Sequence, residues 1–152
     1  MNNITDKELA YLAGIVDGEG SVGVYWCKDH SAPTFQLFVT NTNFDLERWI
    51  RQRLPWAKIR SRVRKGSLGT KPIWEWACKN RKLLKPLLEA LYPYMVIKAP
   101  QVKLMLSLMD DESKELGDNL RNKKPSPELV ERRNFTVSQL KVLKVASTQL
   151  IQ

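Results

Sequence analysis

The sequence predicts an α+β domain whose elements follow the order α-β-β-α-β-β-α, with a helical tail behind them. Two pairs of segments alternate apolar and polar residues with the period of a strand, and helix start and stop signals lie between and around them. At 152 residues the chain is long enough for one domain with a real core and short for two. Residues 1–117 make the core of that domain, and residues 118–152 a linker and a C-terminal helical extension packed on it.

Thr5-Asp6-Lys7-Glu8 reads as a capping box, Thr5 at the N-cap and Glu8 three residues on, and opens a helix over residues 6–18. Alternation follows: Val22, Val24 and Trp26 point one way, and Ser21, Gly23, Tyr25 and Cys27 the other. Asp29-His30-Ser31-Ala32-Pro33 is a turn. The next strand sets Phe35, Leu37 and Val39 against Thr34, Gln36, Phe38 and Thr40. A helix over residues 44–54 is stopped by Pro55. A third strand spans residues 57–65, Gly66-Ser67-Leu68-Gly69-Thr70 is a loop, and a fourth strand covers residues 72–78 with Trp74, Trp76 and Cys78 on its core side. Asn80 caps a helix over residues 81–91, which Tyr92-Pro93 ends. Pro100 suits the first turn of another, running to Glu115 before Gly117. Residues 118–125 are a polar linker. Ser126-Pro127-Glu128 starts a short helix, and a second capping box, Thr136-Val137-Ser138-Gln139, opens the last one.

The net charge of +9 favours a polyanionic partner, and its distribution says more than its total. Between Arg51 and Lys103 fourteen Lys or Arg face two acids, Glu75 and Glu89, while acids gather in the first helix and around Asp110-Asp111-Glu112. A solubilising surface would mix its signs. Two cysteines, Cys27 and Cys78, and one histidine, His30, exclude the common zinc arrangements. With no signal-like N-terminus and no membrane-spanning stretch, the chain is expected inside the cell, its cysteines reduced.

The stretch Leu12-Ala13-Gly14-Ile15-Val16-Asp17-Gly18-Glu19-Gly20 speaks most directly to chemistry. Gly14 and Gly18 are four residues apart, so they share a helix face and let another backbone approach closely. Glu19 falls where the helix stops. A carboxylate at the tip of a tightly packed helix pair suits a metal ion meeting a phosphodiester; the same residues could also close an ordinary core helix with a polar turn. The segment resembles the signature of the LAGLIDADG homing endonucleases, with Leu-Ala-Gly, Asp17 and both following glycines in register. The order of elements is that family's as well, and the resemblance covers residues 5–115.

That resemblance implies an antiparallel four-stranded DNA-binding saddle per subunit, helices on its outer face, and cleavage of long double-stranded DNA sites with Mg²⁺ or Mn²⁺. Neither Leu87-Leu88-Glu89-Ala90 nor Leu106-Ser107-Leu108-Met109-Asp110 carries the signature's glycines. One copy implies a homodimer packed through Leu12, Ala13, Gly14, Asp17 and Gly18, reading a near-palindromic site and leaving short 3′ overhangs. Glu19 and the Gly18 carbonyl would bind the metal, although the family more often has Asp where this chain has Glu19; Asp17 is expected to be structural. Asn41 would position water, or else simply form an Asx turn or cap within Asn41-Thr42-Asn43. Lys98 occupies the place of a basic residue that reaches the site.

Strand parity supplies the reading face. Arg60, Arg62 and Arg64 share one side of the third strand, Ile73 and Glu75 one side of the fourth, and Tyr25, Thr34, Gln36, Phe38 and Thr40 one side of the first two, with Lys28 at the edge. The alternatives on the same scaffold are an intron RNA maturase and a non-catalytic, sequence-specific DNA-binding protein.

Overall fold

In the computed structural model of the chain, residues 4–26, 32–66, 69–117 and 123–149 are described, and for residues 62, 64–66, 69–71 and 146–149 the backbone alone. Helix α1 (Asp6–Glu19) starts at its capping box: the Thr5 hydroxyl accepts from the Glu8 N–H at 3.4 Å, and the Thr5 N–H donates to the Glu8 carboxylate at 2.9 Å. Strands β1 (Gly20–Tyr25) and β2 (Thr34–Asn41) follow, then α2 (Phe44–Arg53), β3 (Lys58–Gly66), β4 (Gly69–Cys78) and α3 (Arg81–Leu91). A 3₁₀ turn at Tyr92–Tyr94 leads into α4 (Ala99–Leu116), and α5 (Pro127–Gln149) ends the chain. The four strands form one antiparallel sheet in the order β1-β2-β4-β3.

Alternation decides which side of that sheet is covered. Val22, Val24, Phe35, Leu37, Val39, Trp74 and Trp76 are buried, and they join Leu12 and Val16 of α1, the leucines of α3 and Met105 and Met109 of α4 in one core. The Trp74 indole N–H is satisfied by the Asn43 carbonyl at 2.7 Å. Cys78 carries a free thiol in this core, where burial pushes its pKa up to about 11. No helix of the αββαββα core covers the opposite face of the sheet among the described residues. Among the described residues, no helix is long and apolar enough to cross a membrane.

Three sequence expectations need correcting. β1 ends at Tyr25, so Trp26 is not a strand residue; its ring lies 5.4 Å from the Arg133 guanidinium. The β3–β4 ladder runs on to the pair Gly66↔Gly69, which reduces the expected five-residue loop to a tight hairpin whose tip lies outside the described residues. The tail holds one 23-residue helix where two were expected. Thr136 is buried in the middle of α5, and Ser138 donates its hydroxyl to the Phe135 carbonyl one turn back. Tertiary packing has overridden a local capping signal. Cys27, Lys28 and His30 lie outside the described residues.

A buried ion pair sets the register of α5 on α4. Both Arg133 and Glu112 are 0% exposed, and the guanidinium meets the carboxylate twice, at 2.6 and 3.0 Å. Leu129 and Leu140 on either side enter the core. Arg133→Met strands the Glu112 carboxylate in the interior and is expected to cost about 3–5 kcal/mol in urea denaturation, whereas Glu112→Leu/Arg133→Met should recover most of the loss.

Candidate active site

The junction between α1 and β1 has no loop. The Gly20 N–H donates to the Val16 carbonyl, closing the helix, and the same residue is the first of β1. A Cβ on Gly20 would stand 2.7 Å from the Val16 carbonyl oxygen, so only glycine fits. Glu19 is therefore held exposed at the end of α1, where the helix passes directly into the sheet.

Asp17 is buried, and it acts on a different part of the chain. Its Oδ2 accepts the N–H groups of Val96 at 2.6 Å and Ile97 at 3.1 Å, and its Oδ1 accepts that of Lys98 at 2.9 Å. Lys98 is the N-cap of α4 and makes no side-chain cap of its own; the carboxylate from α1 takes up the N–H of this N-cap and of the two residues before it, at the positive end of the α4 dipole. The Lys98 ammonium in turn donates to the Asp17 backbone carbonyl. Burial lowers the Lys98 pKa below the ordinary lysine value, against the opposing pull of the Asp17 and Glu19 carboxylates. Lys98 and Glu19, expected in one site, are thus electrostatic neighbours.

Asn41 ends β2, one strand away from the start of β1. Its Oδ1 accepts from the N–H groups of Thr42 at 2.7 Å and Asn43 at 2.8 Å, and Asn43 then caps α2. The Asx-turn reading is the one observed, and what Asn41 can offer a ligand is its amide nitrogen. For a metal, one chain brings the single Glu19 carboxylate and the Gly18 carbonyl in the last turn of the helix. Among the described residues no three His, Cys, Asp or Glu side chains come together as a metal cluster. A hard cation fits here only as part of a site shared with other oxygen donors, such as a phosphate or a second Glu19.

The outward face of α1 differs from the one expected. Leu12, Ala13 and Asp17 are taken up by the chain's own core and are not available to a partner. At 3.6 residues per turn, positions 12, 13, 16 and 17 form the inward stripe and positions 11, 14 and 18 the outward one. Tyr11, Gly14 and Gly18 are exposed, and a Cβ on either glycine would meet nothing within 4 Å.

On the open face of the sheet, the register sets Tyr25 opposite Thr34, Phe38 opposite Ala77, Thr40 opposite Glu75 and Arg60 opposite Glu75. Tyr25, Thr34, Gln36, Phe38, Thr40, Arg60 and Glu75 therefore share one surface, as their parity requires. Arg62 pairs with Ile73 and Arg64 with Lys71, but the side chains of Arg62 and Arg64 lie outside the description. Ile73 is a correction: at 8% exposure this residue has almost no surface to offer, unlike Glu75 on the same face of β4. Two cations were missed, Lys58 and Lys79, which join Arg60 around a cleft of about 580 Å³ with Gln36, Phe38 and Glu75. Extending the Arg60 parity by one step would have found Lys58.

Asp17→Asn replaces acceptors by an amide that cannot satisfy three converging N–H donors. Urea denaturation should show a loss of about 2–3 kcal/mol.

No protein-family model matches the chain, and no curated protein matches it in sequence. Solved structures do match. The homing endonuclease I-CvuI in complex with the I-CreI target is 23% identical, with a TM-score of 0.62 over 91% of this chain and 83% of that one. The archaeal intron-encoded homing endonuclease I-Vdi141I complexed with DNA is 14% identical, with a TM-score of 0.57 over 92% of this chain and 98% of that one. The meganuclease I-SmaMI bound to DNA gives a TM-score of 0.63 at 17% identity, and there 86% of this chain spans only 43% of the other. The αββαββα order and the four-stranded antiparallel sheet are the fold of the LAGLIDADG homing endonucleases.

Proposed function

We propose that this chain is a site-specific DNA endonuclease of the LAGLIDADG type, working as a homodimer with divalent metal on a long, near-palindromic duplex. The observation that carries the reading is the placement of Glu19. It is an exposed carboxylate at the end of a helix that presents Gly14 and Gly18 outward, at the point where that helix enters a sheet whose third strand is basic. The solved neighbours include homing endonucleases in complex with DNA, in the presence of 2 mM Mg for one and 2 mM Ca for another.

The homodimer rests on Gly14 and Gly18. Gly14, in the helix interior, costs about 1 kcal/mol relative to alanine. Gly20 has an internal reason to be glycine; Gly14 and Gly18 have none within 4 Å of where their Cβ would be. Close approach of a second α1 supplies the reason. Exposed Tyr11, Val96 and Ile97 add apolar surface to the same chain segments, since Asp17 ties the 96–98 turn to α1.

The chemistry assigned to the residues follows. The Glu19 carboxylate and the Gly18 carbonyl would hold a hard divalent cation, which when bound stabilises charge on the phosphodiester and acidifies its water. Lys98 keeps a partly desolvated positive charge beside Glu19, placed to neutralise the phosphate. Arg60, with Arg62 and Arg64 by register, supplies charge and bidentate donors along the groove, and Gln36, Thr40 and Glu75 supply polar groups for base edges.

Cleavage of a randomised duplex library with magnesium, against a chelator control, tests the activity. Glu19→Gln is expected to lose roughly 100-fold or more in cleavage while binding persists; cleavage that survives this change overturns the mechanism. Gly14→Leu should fold normally, since its side chain points into open space, yet sediment as a monomer and cleave no double strand.

A further inference from the structure

Gly23 is on the open face of the sheet by register, between Ser21 and Tyr25 and opposite Gln36, yet it is buried. What covers it comes from outside the sheet. The Nζ of Lys144, on α5, would lie 3.3 Å from a Cβ placed on Gly23, and the Tyr25 ring 3.6 Å from it. Helix α5 runs beside the edge strand β1 and carries an ammonium group across that edge onto the saddle surface. Lys141 is one turn earlier on the same helix face and is exposed; both lysines line a cleft of about 530 Å³ with Tyr25 and Thr34. No acid follows Glu131 in the sequence, so this stretch of helix brings only positive charge.

We infer that Lys141 and Lys144 form a phosphate-contacting site for duplex DNA along the β1 edge of the saddle, with Gly23 as the notch that admits Lys144. The inference rests on the DNA-binding reading of the saddle. Both groups are lysines, compact point charges that suit a phosphate oxygen and carry no base information. The exposed Tyr25 ring walls the notch on one side. A Cβ at Gly23 would press on the Lys144 ammonium at 3.3 Å and a branched side chain would push it aside, which gives the glycine a role distinct from those of the glycines in α1. Strand parity could not have found these cations, because they reach the sheet from a helix outside the αββαββα core.

Salt-dependent binding of a mixed-sequence duplex, read by fluorescence anisotropy, tests this. The slope of log K against log salt should fall by about one for Lys144→Ala and about two for Lys141→Ala/Lys144→Ala, equally on unrelated sequences. Gly23→Val, with an unchanged circular dichroism spectrum, should reproduce the Lys144→Ala slope. Lys103→Ala, exposed on α4, should leave the slope unchanged; an equal effect there means bulk charge alone acts and overturns the site. A wild-type slope retained by the double variant overturns the inference and leaves the endonuclease reading standing. Absence of salt-dependent duplex binding by the wild type overturns both. A slope change confined to structured RNA overturns the assignment to DNA.

Discussion

The Asp17 carboxylate is the interaction on which the rest of the site depends. It is nearly buried, 79 to 81 residues before the three N–H groups it accepts, and it ties the segment that leads into α4 to the end of α1. Remove it and two things move together: the end of α1, which carries Glu19, and the start of α4, which carries Lys98. Asp17 is tied to this segment twice, by the three N–H groups on its carboxylate and by the Lys98 ammonium on its backbone carbonyl. The Asp17 carboxylate, expected from the sequence to be structural, is taken up by backbone donors, and Glu19 two residues on faces outward.

Neighbouring residues of α1 consequently have opposite duties. Leu12, Ala13, Val16 and Asp17 build the interior; Tyr11, Gly14, Gly18 and Glu19 face away from it. The glycines separate in the same way. Gly20 is required by the backbone of its own helix, whereas Gly14 and Gly18 stand over empty space. A motif that reads as one unit is physically two interleaved surfaces.

Much of this was legible in the residues. The capping box at Thr5, the alternation in β1, β2 and β4, and the apolar parity of Trp74 and Trp76 are local patterns, and local patterns specify local structure. The faces of the saddle followed because strand parity is strict. What escaped reading is long-range. The signature drew attention to α1 but did not show that Leu12 and Ala13 turn inward. Ile73 has the parity of a ligand-facing residue and is buried. Thr136 sits in a capping pattern that a buried Arg133–Glu112 pair renders irrelevant. The Asx turn at Asn41 was readable as one of two possibilities, and only the hydrogen bonds of its oxygen distinguish them.

The strand order β1-β2-β4-β3 leaves β3 as an outer edge, with no further strand beside it among the described residues. Such edges invite another chain's strand, and proteins guard them with charge. Lys58, Arg60, Arg62, Arg64 and Lys65 fill that strand, so the residues that would grip nucleic acid also keep copies of the sheet from joining edge to edge. Recoding them with apolar side chains to read a different sequence would strip the edge of that protection, with Val63 already exposed beside it. The freedom to redesign recognition on this strand is therefore bounded by self-association, a limit that β4, enclosed between two neighbours, does not share.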